Sequence, residues 1–128
     1  MRWFGKNKRK EVWDEAIEWP IGDIEAAKRI REICRSAADS AERVGSLAGP
    51  PVSRKDKYQA ERYEGAARTA MEIAMKISDE LMRDASVRQI VDLCMSANNL
   101  KTARILFRAI QAPSIREAAF ADHPTLRE

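Results

Sequence analysis

The pattern of apolar positions predicts helices along the whole chain. Apolar residues recur at spacings of three and four, and no stretch alternates apolar and polar residues over the length of a strand. Alanine, a strong helix former, occurs 20 times, whereas the strand-favouring valine and threonine occur five and three times. The sequence therefore predicts an all-α fold.

Two helices are predicted in the first third of the chain. The first covers residues 7–18 or 10–18 and ends before Pro20, because the residue that precedes a proline avoids helical geometry. The second covers residues 24–47, and Asp23 is its predicted N-cap, since a carboxylate can accept the free amide hydrogens of the first turn. Its apolar residues form one stripe: Ile30, Ile33, Cys34, Ala37, Ala41 and Val44.

The third predicted helix is the longest and runs from Lys55 to Arg83, with Ser53 and Asp56 in the spacing of a capping box. At ~1.5 Å per residue it would be about 40 Å long. One unbroken heptad seam with an alanine-rich middle follows it: Ala60, Tyr63, Ala67, Ala70, Ala74, Ile77 and Leu81. Small seam residues allow close approach of another helix. We expect an intramolecular bundle, with a homodimer formed through this helix as the alternative.

Shorter helices are predicted towards the C-terminus. They cover residues 86–96, 100–111 and 114–120, and Asn98 and Asn99 form a tight turn between the first two. Pro113 separates the last two. Serines are the predicted N-caps of two of these helices: Ser86 and Ser114.

The stretch from Leu93 to Phe107 resembles the helical hairpin of tetratricopeptide and pentatricopeptide repeats. Ala103 and Phe107 stand where such hairpins place a small and a large packing residue. The stretch is a single copy, and no second copy follows at the roughly 34-residue period of such arrays. The resemblance implies a C-terminal helical hairpin and carries no function with it.

These elements predict a single-domain bundle of five or six helices over residues 11–120, with an N-terminal arm (residues 1–10) and a frayed tail (residues 121–128). The one internal linker, residues 45–53, is short enough to be a turn between packed helices. No run approaches the roughly 20 apolar residues that span a bilayer, and no apolar signal-peptide segment follows the basic N-terminus. We therefore expect a cytoplasmic protein.

Positive charge is concentrated in the arm. The chain has 23 basic and 20 acidic residues, a formal net charge of +3. The arm contains five basic residues and no acidic one: Arg2, Lys6, Lys8, Arg9 and Lys10. The rest of the chain therefore carries 18 basic and 20 acidic residues, a net charge of −2. A body so nearly neutral is not typical of a domain that wraps nucleic acid.

The arm is the predicted binding element, because Trp3 and Phe4 adjoin its five bases. The predicted partner-binding residues are Trp3, Phe4, Lys6, Lys8, Arg9 and Lys10. On a protein partner the aromatics would act as anchors within a charged rim. The alternatives are nucleic acid, with phosphates neutralised and a base stacked, and an anionic membrane surface that the aromatics enter. Packing of both aromatics on the bundle would leave no binding role for them.

Catalytic groups are few. His123 is the only histidine and precedes Pro124 in the predicted tail. Cys34 and Cys94 are far apart, form no CxxC motif and are expected to be free, buried thiols. No GxSxG, P-loop, GxGxxG or HExxH motif is present. We therefore predict a small non-catalytic adaptor or regulatory protein without a cofactor, which acts by binding a protein partner.

Carboxylate pairs offer the alternative of a metal-dependent hydrolase. At i and i+3 on a helix, two carboxylates share a face and can bind Mg²⁺ or Mn²⁺. The pairs are Glu15 with Glu18, Asp39 with Glu42, and Glu61 with Glu64. The first two resemble the paired acidic motifs of all-α nucleotide pyrophosphatases, which implies metal-dependent nucleotide hydrolysis. The second has Asp first, the reverse of that motif, and solvated helix faces are an adequate explanation of all three pairs.

Overall fold

The computed structural model describes residues 10–127, and all regular structure in that range is helical. The α-helices are α1 (Asp23–Gly45), α2 (Arg54–Ala74), α3 (Glu80–Ser96), α4 (Leu100–Arg108) and α5 (Pro113–Asp122). Two 3₁₀ turns, Val12–Asp14 and Pro124–Arg127, flank them. The predicted all-α class is confirmed, and the helices form a single domain. No helix in the described range is long and apolar enough to cross a membrane.

The core is built around α1, which packs against both α2 and α3, while α4 packs on α3. Ten of the 25 buried hydrophobic residues are alanines. Alanine side chains allow close approach of neighbouring helices. The largest fully buried apolar side chains are Ile30, Ile77, Ile90, Ile110 and Val91.

The predicted first helix is wrong. Only Val12–Asp14 forms a 3₁₀ turn, and residues 15–22 are not helical. The backbone N–H of Glu11 donates to the Asp14 carboxylate at 3.1 Å, which stabilises one tight turn and not a longer helix. Residues 11–22 therefore form a strap along α1 and α2. The Trp19–Pro20 peptide bond in it is cis.

Apolar strap residues face the bundle. Trp13 is buried, and Val12, Ile17 and Ile21 pack against the core. The Trp13 indole lies over α2 at Gly65, where a Cβ would stand only 3.0 Å from its Nε1 atom. Apolar residues whose spacing suggests a helical face in the sequence thus belong to a non-helical segment, and their side chains hold that segment against the bundle.

The predicted third helix is two helices. α2 ends at Ala74 and α3 begins at Glu80, where the Asp79 side chain accepts a hydrogen bond from Met82 N at 2.8 Å. The break between α2 and α3 also interrupts the predicted heptad seam. Leu81, the last residue of that seam, lies on α3 and is 59% exposed. Ser86, the predicted N-cap of a separate helix, lies buried within α3.

Asp23 does not cap its own helix, whose N-cap is Gly22. Its carboxylate instead accepts hydrogen bonds from the backbone N–H groups of Ser78 and Asp79, both at 2.9 Å. These bonds tie the beginning of α1 to the beginning of α3. They also hold the pKa of the Asp23 carboxyl below its ordinary value of 3.8.

The predicted turn between α3 and α4 is confirmed. Asn98 adopts the left-handed conformation with φ 58°, and the Asn99 side chain accepts from Thr102 N at 3.3 Å. The α4 helix is shorter than predicted, because the buried Asp84 carboxylate accepts from the backbone N–H groups of Gln111 and Ala112. The N-cap of α5 is therefore Ala112, and the prediction of Ser114 is wrong.

The predicted frayed tail is also wrong. The α5 helix continues to Asp122, and Leu126 in the following 3₁₀ turn is 4% exposed. His123 lies 2.8 Å from the Asp92 carboxylate through its Nε2 atom. One buried leucine and this polar contact attach the C-terminal residues to the bundle.

Replacement of Asp23 by alanine should lower the Tm at neutral pH, because two backbone N–H groups lose their acceptor. Since the folded-state pKa of Asp23 is lowered, its contribution to stability is complete above the ordinary value of 3.8 and is lost as pH falls through the lower value. The Tm difference from wild type should therefore shrink in acid. Thermal melts followed by circular dichroism test this. Glu42→Ala, which removes an exposed carboxylate from the same helix, is the control, and equal Tm values for wild type and D23A at neutral pH would contradict the prediction.

Gly45→Ala should lower the free energy of unfolding by about 1–3 kcal/mol through overpacking. A Cβ on Gly45 would stand 2.1 Å from the backbone oxygen of Ser96, so the ends of α1 and α3 would have to separate. Gly49→Ala is the matched control, since a Cβ there meets no atom within 4 Å. Urea denaturation measures both, and a G45A variant as stable as G49A would overturn the prediction.

Candidate interaction surfaces

One of the six predicted partner-binding residues, Lys10, lies in the described range, where it is exposed. The other five lie outside the described residues, so the prediction for them stays a prediction: Trp3, Phe4, Lys6, Lys8 and Arg9. The carboxylate of Glu11, the next residue after Lys10, accepts hydrogen bonds from Arg62 at 2.8 and 3.1 Å and from the Tyr58 hydroxyl at 3.4 Å. Lys10 therefore lies beside the N-terminal half of α2.

The structure does not assemble the predicted carboxylate pairs into one site. Glu15 and Glu18 lie on the non-helical strap, where the i, i+3 argument does not apply. Glu15 instead lies 3.8 Å from Arg29. Among residues 10–127, no three His, Cys, Asp or Glu side chains come together in a way that could hold a metal ion.

The two thiols differ in burial. Cys94 is buried as predicted, whereas Cys34 is half-buried and lies on a cavity wall; both are free. The pKa of the Cys34 thiol is raised to about 12, chiefly by burial and to a smaller extent by nearby Cys94 and Asp92. Burial also raises the pKa of the Cys94 thiol. Both groups are therefore protonated at neutral pH.

The surface between α1 and α3 contains an open groove, with a cavity of about 410 Å³. All of its lining residues come from these two helices: Arg31, Cys34, Arg35 and Ala38 on α1, and Gln89, Asp92, Leu93 and Ser96 on α3. Cys34, Ala38 and Leu93 are half-buried or buried and form an apolar floor. We call this feature the α1–α3 groove.

The two rims of the groove differ in charge. Lys28, Arg31 and Arg35 follow one another at helical spacing on α1, all exposed, and none forms an ion pair with a described residue. On α3, Asp92 is paired with Arg88, whose Nε lies 2.9 Å away and whose guanidinium also binds Asp122. The α1 rim therefore presents three exposed cations that have no ion-pair partner among the described residues, with the Glu32 and Asp39 carboxylates one helical turn away.

An apolar cluster lies at the end of the bundle where α1 and α3 begin. Its four side chains are large and exposed: Trp19 (40%), Ile24 (76%), Met75 (67%) and Leu81 (59%). They belong to one neighbourhood, because Asp23 binds Ser78 and Asp79, and Lys76 Nζ lies 5.1 Å from the Trp19 ring. Ile24 and Leu81 continue the exposed stripes that border the groove on α1 and α3. We call this cluster the apolar end.

A second exposed surface lies at the opposite end of α2, next to the attachment of the arm. It contains a cavity of about 410 Å³ lined by Arg54, Lys57, Tyr58 and Glu61. Tyr58 is 40% exposed. We call these four residues, with Lys10 and Lys55, the basic face.

Sequence reasoning missed both the groove and the apolar end. The available signal was Ile24, which lies outside the apolar stripe of its helix and so had no predicted neighbour inside the bundle. Leu81 gave no such signal, because it fits the seam of a helix that the structure divides. Comparison of the chain with known protein families, with curated proteins and with solved structures finds no match.

Alkylation tests the state of the thiols. A pKa of about 12 against an ordinary 9.0 leaves Cys34 with about a thousandfold less thiolate than a free cysteine. Because the thiolate is the nucleophile, iodoacetamide should modify Cys34 and Cys94 very slowly at neutral pH in the folded protein. Unfolding in urea should restore ordinary rates, with mass spectrometry of the Cys34→Ser and Cys94→Ser variants assigning each site. Modification of folded Cys34 at the unfolded rate would contradict the raised pKa.

Proposed function

We propose that this protein is a non-catalytic binding module that docks a protein partner in the α1–α3 groove, and that the docked segment is an amphipathic helix with an acidic flank. The observation that carries the proposal is an open groove lined by only two helices, with an apolar floor and, along the α1 side, three exposed cations that form no ion pair with a described residue.

The groove has the dimensions of a helix-binding site. The α1 wall of the groove runs from Arg31 to Ala38, about 10 Å at ~1.5 Å per residue, and the stretch from Ile24 in the apolar end to Ala38 is about 21 Å, which corresponds to about four turns of a bound helix. Small floor residues such as Ala38 and Cys34 leave room for the side chains of such a helix. Amphipathic helices bind in apolar grooves of this kind through anchors at helical spacing.

The apolar end supplies an anchor for one terminus of the bound helix. Ile24 and Leu81 are large, exposed apolar side chains next to the groove, and Met75 and the Trp19 ring belong to the same end of the bundle. Aromatic and large aliphatic side chains contribute most of the binding energy in protein interfaces. A bulky apolar residue at the end of the partner helix would cover this cluster.

Charge selects an acidic partner. Lys28, Arg31 and Arg35 are at spacings of three and four, so one face of a parallel or antiparallel helix can present carboxylates to all three. Each exposed pair contributes about 0.2–1 kcal/mol. The cations therefore guide orientation and exclude basic partners more than they determine affinity.

Two labelled helical peptides of about 14 residues, the length that covers the groove and the apolar end together, test the proposal. Both carry the same leucine and alanine stripe, and one has glutamate flanks where the other has lysine. Fluorescence anisotropy should show that full-length protein binds the glutamate peptide and not the lysine peptide. Arg31→Ala combined with Arg35→Ala should weaken binding about twofold to thirtyfold, as expected for the loss of two such pairs.

A matched double variant serves as control. Lys55→Ala with Lys57→Ala removes the same charge from the basic face and should leave peptide binding unchanged. Ala38→Trp should abolish binding because the indole fills the groove, and Ser36→Trp, on an exposed position of α1 that does not line the groove, should not. Binding that survives Ala38→Trp, or the absence of binding to the glutamate peptide, would overturn the proposal.

A further inference from the structure

We infer that the outward side of α4 is a second interaction surface and that its partner is the surface of an anionic lipid bilayer. Four residues of α4 form this surface, which we call the α4 face: Lys101, Arg104, Ile105 and Arg108. None of them lines the α1–α3 groove, so the inference does not depend on the proposed function.

The sequence around α4 is basic, in contrast to the rest of the body. From Leu93 to Arg116 the chain contains four basic residues and no acidic one. Residues 11–128 contain 18 basic and 20 acidic residues, so the body without this stretch has 14 basic and 20 acidic residues, a net charge of −6. An anionic surface would therefore attract the molecule at α4 and repel it elsewhere, which fixes the orientation of binding.

The burial pattern of α4 determines which side chains point outwards. The buried residues of the helix face the bundle: Ala103, Leu106 and Phe107. Lys101, Ile105 and Arg108 follow one another at spacings of four and three on the opposite side, and all three are exposed. The α4 face is thus a convex ridge about two turns long, with cations at both ends and isoleucine between them.

Arg104 extends the ridge towards the C-terminal 3₁₀ turn. It is half-buried, and its Nη2 atom donates to the Thr125 carbonyl oxygen at 3.0 Å. A carbonyl acceptor leaves the guanidinium charge in place. The turn packs beside α4 and contains a further exposed cation, Arg127, whose guanidinium lies 4.3 Å from the centroid of the Phe120 ring.

The three cations of the α4 face form no ion pair with a described residue. Acidic side chains of the neighbouring elements lie on other sides. Glu64 of α2 lines a cavity with Thr102 and Leu106, which are on a different flank of α4. Asp122 is bound to Arg88, and Glu117 lies on α5, which packs on α3 and on the C-terminal turn. The positive charge of the ridge is therefore available to an external anion.

Ile105 distinguishes a bilayer from other polyanions. Its side chain is 54% exposed, although basic side chains surround it on α4. A bilayer offers apolar acyl chains directly below anionic head groups, so the isoleucine can enter while the neighbouring lysine and arginine side chains extend to the phosphates. A phosphate backbone or a run of carboxylates would leave this isoleucine without an apolar partner. A planar, deformable surface also fits a convex ridge, whereas a helical peptide binds in a groove.

Binding to such a surface should be reversible and dependent on salt. Each basic residue near an anionic membrane increases the partition coefficient about fivefold, so the three cations of the α4 face together contribute on the order of a hundredfold. The attraction is effective only within a Debye length, about 10 Å at 0.1 M salt. Membrane binding should therefore weaken as the ionic strength rises.

Sedimentation of full-length protein with lipid vesicles tests the inference. The protein should bind phosphatidylcholine vesicles that contain about one third phosphatidylserine and should not bind pure phosphatidylcholine. Lys101→Ala with Arg108→Ala should lower the partition coefficient about thirtyfold. Lys55→Ala with Lys57→Ala, the same change of charge on the basic face, is the matched control and should leave binding nearly unchanged. Circular dichroism confirms that each variant is folded.

Substitutions of Ile105 provide a measurement that net charge does not affect. Ile105→Ala should weaken binding several-fold, whereas Ile105→Leu, which keeps the apolar volume, should bind like wild type. An environment-sensitive fluorophore on Ile105→Cys should shift its emission to the blue when anionic vesicles are added. The same fluorophore on Ser36→Cys, an exposed position of α1, should not shift.

Four outcomes would overturn the inference. Failure to sediment with the anionic vesicles would exclude the bilayer as a partner. Equal weakening by the two double variants would show that net charge alone drives binding. Sedimentation without an emission shift at position 105 would show that another surface of the protein contacts the lipid. Binding of polyglutamate or of a single-stranded oligonucleotide as tightly as the vesicles would assign the α4 face to a different polyanion.

Discussion

The close approach of α1 to α2 and α3 is the constraint on which the rest of the structure depends. Alanines fill much of the interface, including Ala26, Ala37 and Ala41 on α1 and Ala66, Ala70 and Ala74 on α2. Small side chains bring backbones together, but each buries little apolar area. The helices alone therefore provide a thin core, and larger side chains have to come from elsewhere.

The two ends of the described chain supply them. Trp13 from the strap and Leu126 from the C-terminal turn are both buried, although each lies outside the α-helices. Phe120 near the end of α5 lies 4.6 Å from Phe107, centroid to centroid. Segments that look peripheral in the sequence thus complete the core, which explains why neither is frayed in the structure.

Local signals in the sequence were sufficient for some elements and not for others. The Ser53 cap of α2 and the Asn98–Asn99 turn depend on neighbours within four residues, and both were predicted correctly. The break between α2 and α3 depends partly on Asp23, more than 50 residues away in the chain. Asp84 likewise ends the α4 segment from 27 residues away. The local spacing of residues in the sequence does not reveal a carboxylate that accepts hydrogen bonds from backbone N–H groups distant in the chain.

The candidate surfaces follow the same division. The basic arm and the scarcity of catalytic groups are properties of composition and can be read from the sequence. The groove cannot, because it arises from the distance between α1 and α3, and the exposure of Ile24 and Leu81 depends on which helices cover them. The prediction of a continuous third helix placed Leu81 in a seam and so concealed one side of the groove.

The distance between α1 and α3 is fixed at both ends of the groove. Asp23 ties their beginnings together through two backbone N–H groups, and Gly45 holds their far ends in backbone contact at Ser96. A groove with such fixed walls is preorganised, so its ligand does not bear the entropic cost of ordering it. It is also unable to widen. Selectivity would therefore come from steric exclusion. Helices that carry bulky residues along the whole contact stripe would not fit the groove, whatever their charge.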